Sequence, residues 1–400
     1  MSDLPIETWE NIIEFVRAGS GKRLLAKANR CVLQLPSADK ATFCQLSKLF
    51  NAIATKILYR HVSLYVEFTS VISYQDEYVI WKTALETIIL NDRRQADAVR
   101  ILELNCVFYG LSCTPLSTPK WEPYVDDEVN ELIALAVSEM SRLDEFIWLS
   151  NLPLREEIMY ILASRPITKF TFHDYPNICG QSSIAPLIRC PLTSLSIDAN
   201  IIEDDNEFKT LFWSIRRTLR HLRLWNGVHA RRTEVFEPLV ASGRKLDLIS
   251  LGCVGMNVLD IREVIEAVNL QTLRKLNWVP KDSPDGQLLW TYLRKAPVPM
   301  SLKSLTTDKG DETLAEFLRS FAGLETLLLG DWGCSVIFNL ELSLASHCWS
   351  LRYLRLPHEC ELGKAYLDPR TLQWLMVNCV NLEELSCAMN PEEMVSPRLF

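Results

Sequence analysis

The spacing L-x-x-L-x-L recurs ten times between Leu143 and Cys387 and sets the rhythm of most of this chain. LTSLSI from Leu192, LRHLRL from Leu219, LETLLL from Leu324 and LRYLRL from Leu351 are full copies. LDLISL from Leu246, LRKLNW from Leu273 and LEELSC from Leu382 are near copies, and LDEFIW from Leu143, ITKFTF from Ile167 and LKSLTT from Leu302 are degenerate. Successive copies start 22 to 31 residues apart, and one more, VRILEL from Val99, stands 44 residues upstream. Between copies the apolar positions change period. Val129, Leu132, Ile133 and Ala136 follow the i, i+3, i+4, i+7 rule of an amphipathic helix, as do Phe208 to Ile215, Ile261 to Val268, Leu314 to Phe321 and Leu372 to Cys379.

Each unit is therefore a short strand, a loop and a helix. A helical crossover of this length joins parallel strands. Self-similarity at a period of about 20–29 residues is the signature of a leucine-rich-repeat solenoid. Helices are about 10 Å across and paired strands about 4.8 Å apart, so stacking such units bends the array. The expected fold is α/β: a horseshoe with parallel strands concave and helices convex, preceded by a small helical module.

Along each strand the fourth and sixth positions point into the core, and their neighbours point outward. The outward set includes Asp198, Asp308, Lys275, the trio His221, Arg223 and Trp225, and the pair Tyr353 and Arg355. Trp, Tyr and Arg are the side chains most often found as interface hot spots. These six residues outside the aspartates are the candidate target-binding positions. The competing reading is that Trp225 only shields a strand and that the arginines are solvated.

The first 60 residues have a different rhythm. Trp9, Ile12, Ile13 and Val16 mark one amphipathic helix, and Leu46, Leu49, Phe50 and Ile53 another. LPIETWENIIEFV resembles the opening of an F-box, and ADKATFCQLSKLFNAIATKILYRHVSL resembles its second half. The resemblance implies a substrate receptor of Skp–cullin–F-box ubiquitin ligases, whose box docks on a Skp-type adaptor and, through it, a cullin scaffold, while the repeats hold an unidentified protein substrate. Carried over by position, it implies adaptor contacts at Leu4, Pro5, Ile12, Ile13, Val16, Leu46 and Phe50. Phe50 stands where the family usually has tryptophan, and about twenty extra residues, 18–37, separate the two halves. The alternatives are a helical cap for the solenoid and a non-ubiquitin cytosolic repeat protein acting by interaction or inhibition.

The expected domains are a box-like module over 1–64, a helical connector and first-repeat cap over 65–98, and the solenoid over 99–400, with an irregular loop at 106–124. Composition changes this picture little. The net charge of −8 argues against general nucleic-acid binding, although residues 1–60 hold nine Lys/Arg against five Asp/Glu. The twelve cysteines show no C-x-x-C spacing, the N-terminus lacks a basic leader, and no run reaches the 18 or so apolar residues of a membrane span. A reduced compartment, cytoplasm or nucleus, is the expectation. No nucleotide-binding, hydrolase or metalloprotease motif occurs, and the six histidines have no metal-ligand spacing. A non-catalytic binding protein without cofactor or metal is expected.

Overall fold

The computed structural model describes residues 59–68, 79, 82–89, 93–108, 122–150, 154–173, 183–198, 205–225, 235–255, 261–279, 286–295, 301–308, 311–330, 340–356, 367 and 369–388. The chain divides into two compact units, Met1–Ser150 and Asn151–Phe400.

In the first unit three strands pair in parallel and in chain order: β1 (His61–Phe68), β2 (Ile101–Phe108) and β3 (Glu145–Ser150). Helix α1 (Arg93–Ala98) leads into β2, and α2 (Glu122–Glu139) crosses from β2 to β3. The predicted apolar face of α2 is buried at Val129, Ile133 and Ala136, together with Leu102 and Leu104 of β2 and Phe146 and Trp148 of β3.

The second unit continues the same construction with nine strands. They are β4 (Lys169–His173), β5 (Ser194–Asp198), β6 (His221–Trp225), β7 (Ser250–Val254), β8 (Lys275–Val279), β9 (Ser304–Thr307), β10 (Thr326–Leu329), β11 (Tyr353–Arg355) and β12 (Glu384–Ser386). Each is hydrogen-bonded in parallel to the next, giving a long open sheet with the strands in sequence order. The crossovers carry helices α3 (Glu156–Ala163), α4 (Asp205–Ile215), α5 (Glu237–Ala241), α6 (Ile261–Ala267), α7 (Gly286–Arg294), α8 (Glu312–Arg319), α9 (Leu340–Leu344) and α10 (Pro369–Asn378), with a 3-10 turn at Ala185–Arg189. This is a mixed α/β architecture with a long all-parallel open sheet, consistent with a leucine-rich-repeat-like solenoid. The period-2 alternation survives intact: in β6, Leu222 and Leu224 are buried while His221 and Arg223 are exposed.

Between sheet and helices the core runs along one line. Phe208, Phe212 and Phe236 form an aromatic chain with centroid separations of 5.4 and 5.3 Å. Trp290, Phe317, Phe321 and His347 form a second, at 5.6, 4.9 and 4.7 Å. Successive turns are also clasped by side chains just ahead of each strand. Thr193 donates to the Thr168 carbonyl, Thr272 to Leu248, Ser350 to Leu324 and Asn381 to Trp349, at 2.7 to 3.1 Å. At Thr168 the hydroxyl bond adds to the backbone N–H groups of Thr193 and Ser194 on the same carbonyl, while the other three bonds take up carbonyls of Leu248, Leu324 and Trp349 in non-repetitive backbone.

Four expectations are corrected. The connector begins as a strand, because Val62, Leu64, Val66 and Phe68 alternate with period 2 and β1 pairs along its whole length with β2. The loop expected over 106–124 is shorter, since Cys106–Phe108 extends β2 and Glu122 already starts α2. The copy placed at Leu246 belongs two residues later: Ser250 pairs with His221 and Leu251 with Leu222, so Leu248, Leu251 and Cys253 hold the core positions and Ile249 is exposed. Asp198 and Asp308 stand at outward positions of the pattern yet are buried.

Helix α8 has the clearest N-cap of the described helices. The Asp311 side chain accepts from the Leu314 N–H at 2.9 Å, taking up a donor that the first turn cannot use. Asp311→Ala is expected to cost about 1 kcal/mol of stability, read as a shift in the denaturant midpoint, with Asp311→Ser recovering most of it.

Candidate binding face

The strand register lines up the outward residues of the second unit in rows that cross the sheet. One row reads Lys169, Ser194, His221, Ser250, Lys275, Ser304, Thr326, Tyr353 and Glu384. Basic side chains occupy alternate strands of its first five, and serines stand between them. The next row reads Thr171, Ser196, Arg223, Gly252, Asn277, Thr306, Leu328, Arg355 and Ser386. Large cations rise here from ground covered mostly by small polar groups.

Arg223 and Trp225, two residues apart on β6, share a face, and the guanidinium carbon lies 3.5 Å from the centre of the indole ring. A cation on an aromatic face gains from the ring quadrupole, the more so where water is partly excluded. Burial lowers the Arg223 pKa, which still leaves a guanidinium charged at neutral pH. Trp225 is itself fixed. Its indole N–H donates to Ser196 Oγ at 2.8 Å, and its ring meets His173 edge-on at 5.0 Å. His173 and Trp225 stand on the strands either side of β5, which ends in the buried Asp198.

Gly252 completes the arrangement. A Cβ built there would stand 2.9 Å from Cγ of Arg223, so any side chain at position 252 would force the arginine stem to shift. Two histidines are held neutral on this face. Burial, then Arg223, depresses His173; burial, then Lys275 and Lys169, depresses His221. The basic groups of β4, β6 and β8 thus act on one another.

Tyr353 belongs to a different cluster. Its hydroxyl donates to Glu383 Oε2 at 2.7 Å, while Arg352 donates through Nε to Glu383 Oε1 at 2.8 Å. That pair lowers the Glu383 pKa and raises those of Tyr353 and Arg352. Arg355 is exposed on β11, five strands from Arg223, or roughly 24 Å at the usual strand spacing. The two arginines are therefore well separated on the sheet, and Lys275 stands nearer Arg223.

Comparison with models of protein families finds no match, and a search of curated proteins finds no relative.

The adaptor candidates Leu4, Pro5, Ile12, Ile13, Val16, Leu46 and Phe50 lie outside the described residues. Of the buried thiols, Cys253 is pushed up to about 12 and Cys190 to about 11 by desolvation, so both stay protonated at neutral pH. Among the described residues no cluster of three His, Cys, Asp or Glu is placed to hold a metal, and no helix is long and apolar enough to cross a membrane. The alternation of the sequence places His173, Ser196 and Asn277 on this face without singling them out as binding positions, and it misses Gly252. A glycine inside a strand, which often marks a close approach of another group, was the signal available for Gly252.

Proposed function

We propose that this protein recruits a target to a Skp–cullin–F-box ubiquitin ligase, with the N-terminal box on the Skp-type adaptor and the outward strand positions of the repeats on the target. The observation that carries the reading is the pairing, in one chain, of a box-like sequence with a repeat solenoid whose outward row bears cations and aromatics. Such a subunit works by proximity. Holding a target lysine beside a charged conjugating enzyme turns a bimolecular encounter into an effectively intramolecular one. No side chain of this protein needs to take part in bond making.

Co-expression with a Skp-type adaptor tests the reading. Stoichiometric co-purification is the expected result, and a Leu4→Ala, Pro5→Ala double variant is expected to lose it while keeping the far-ultraviolet spectrum and unfolding midpoint of the parent. Adaptor recovery unchanged by the double substitution, or absent from the parent, overturns the assignment. A second reading, a repeat protein that binds its partner without ubiquitin transfer, draws on Phe50 in place of tryptophan and on the extra segment at 18–37. It predicts no adaptor with either protein.

A further inference from the structure

Five ion pairs are described in the second unit, and none of them involves a cation of β6 or β8. Lys209 pairs with Glu237, Arg294 with Glu316, Lys303 with Glu325, Arg319 with Glu312 and Arg352 with Glu383. These pairs lie outside the paired strands. On the sheet face, no described carboxylate pairs with Arg223, His221 or Lys275, although they stand on strands only two apart.

Arg223 is also positioned in advance. Trp225 covers one face of the guanidinium, Ser196 and His173 hold Trp225, and Gly252 leaves room for the arginine stem. An arginine restrained in this way loses less side-chain freedom when it binds, and its N–H edge can meet an oxyanion through two parallel bonds. Its partial desolvation makes an oxyanion partner worth more than on an open surface.

We propose that Arg223, stacked on Trp225 and flanked by Lys275 and His221, is an oxyanion receptor, and that its ligand is a phosphate- or carboxylate-bearing side chain of a polypeptide segment laid across β6 to β8. The proposal rests on the reading that the repeat face holds a target, and it names the chemistry of that target. The spread of the cations favours polypeptide over nucleic acid. Nucleic acid is held by cations that neutralise successive phosphates. Here Lys169, Arg223, Lys275 and Arg355 are spread from β4 to β11 on a chain of net charge −8. Ser250 and Gly252 keep the ground between the cations low, so a side chain can reach down to them.

The test uses the purified full chain without adaptor. The immobilised protein is offered three short-peptide libraries with the same randomised flanks and a central phosphoserine, glutamate or serine. The expected result is enrichment of phosphoserine or glutamate peptides over serine peptides by about tenfold or more, the size of a charge-assisted hydrogen-bond pair. The more strongly enriched library identifies the source of the oxyanion. Arg223→Gln is expected to abolish the enrichment and Lys275→Gln to reduce it. Gly252→Ala, which removes no charge, is expected to reduce it by displacing Arg223, while the back-face variant Arg294→Gln leaves it unchanged.

Equal capture of all three libraries by the parent overturns the proposal. So does enrichment that survives both Arg223→Gln and Gly252→Ala, or displacement of the captured peptides by a single-stranded RNA that binds with higher affinity. Adaptor co-purification reads the ligase assignment separately. Enrichment without adaptor would sink the assignment and leave the receptor standing, and adaptor without enrichment would do the reverse.

Discussion

Phe317→Ala is expected to destabilise the second unit by about 3–5 kcal/mol, the usual cost of emptying an aromatic site in a packed core. Phe317 is fully buried in α8 and stacks between Trp290 of α7 and Phe321, so its removal leaves two rings without a partner on one side. Helices α7 and α8 belong to neighbouring turns, and the chain cannot refill the space by moving one turn alone. Phe317→Leu keeps most of the volume and is expected to cost roughly 1.5 kcal/mol or less. Because each turn of a solenoid touches only its neighbours, the loss should be local. Amide exchange should rise first over 286–330 and only later over 167–225. A single transition with an unchanged midpoint in the alanine variant would contradict the packing described.

The second large effect is expected at His347. The ring is buried, accepts from the Leu324 N–H at Nδ1 over 3.2 Å, and donates from Nε2 to the Leu318 carbonyl at 2.9 Å. It closes the backbone turn between α8 and β10 from the following repeat, helped by Ser346 on the Phe321 carbonyl. His347→Ala leaves one buried donor and one buried acceptor without their partner, at about 1–3 kcal/mol each. His347→Gln, which keeps a donor and an acceptor, should recover part of that.

The same geometry fixes a pH dependence. Burial lowers the His347 pKa below the ordinary value of 6.5, outweighing the opposing bond to Leu318. The unfolded chain therefore takes up a proton near pH 6.5 that the folded chain refuses, and stability falls as pH drops below that value. Protonation would also place an N–H at Nδ1 against the N–H of Leu324. Unfolding midpoints measured from neutral pH down to about pH 5 should decline less steeply for His347→Gln than for the parent, with His173 and His221 supplying what slope remains.

Most of the fold was legible because the repeat writes the same instruction many times. A strand core of Leu222 and Leu224, or of Leu327 and Leu329, follows directly from the spacing of leucines. Errors arose where local pattern and pairing compete. β1 has no leucine template, and its alternation becomes decisive only once β2 supplies a partner edge. Leu246 and Leu248 are both buried, so sequence alone could not say which one opens the repeat; the pairing of Ser250 with His221 decides it.

The binding face was half legible. Alternation put His221, Arg223 and Trp225 on one side of β6, and Tyr353 with Arg355 on one side of β11. It could not show that Tyr353 is engaged by Glu383, or that Arg223 is held in place by Gly252 of the next strand. Those facts depend on register between strands and on rotamers, neither of which a single repeat encodes. His347 was hidden for a similar reason, since its partners lie 23 and 29 residues away along the chain.

The clasps made by Thr193, Thr272, Ser350 and Asn381 all lie where a helix returns to the next strand. On that side the chain covers similar lengths, from Ile215 to His221, from Ala267 to Lys275 and from Asn378 to Glu384. Where a strand leaves for its helix, lengths differ widely: Thr307 to Glu312 in one turn, Arg355 to Pro369 in another. Stacking is thus anchored at one end of these four turns, and the longest spans fall at the other. Doubling a loop there costs only about 0.6 kcal/mol in closure entropy. A lineage of such proteins can therefore acquire new partners by insertion at that rim, one turn at a time, without renegotiating the array that carries it.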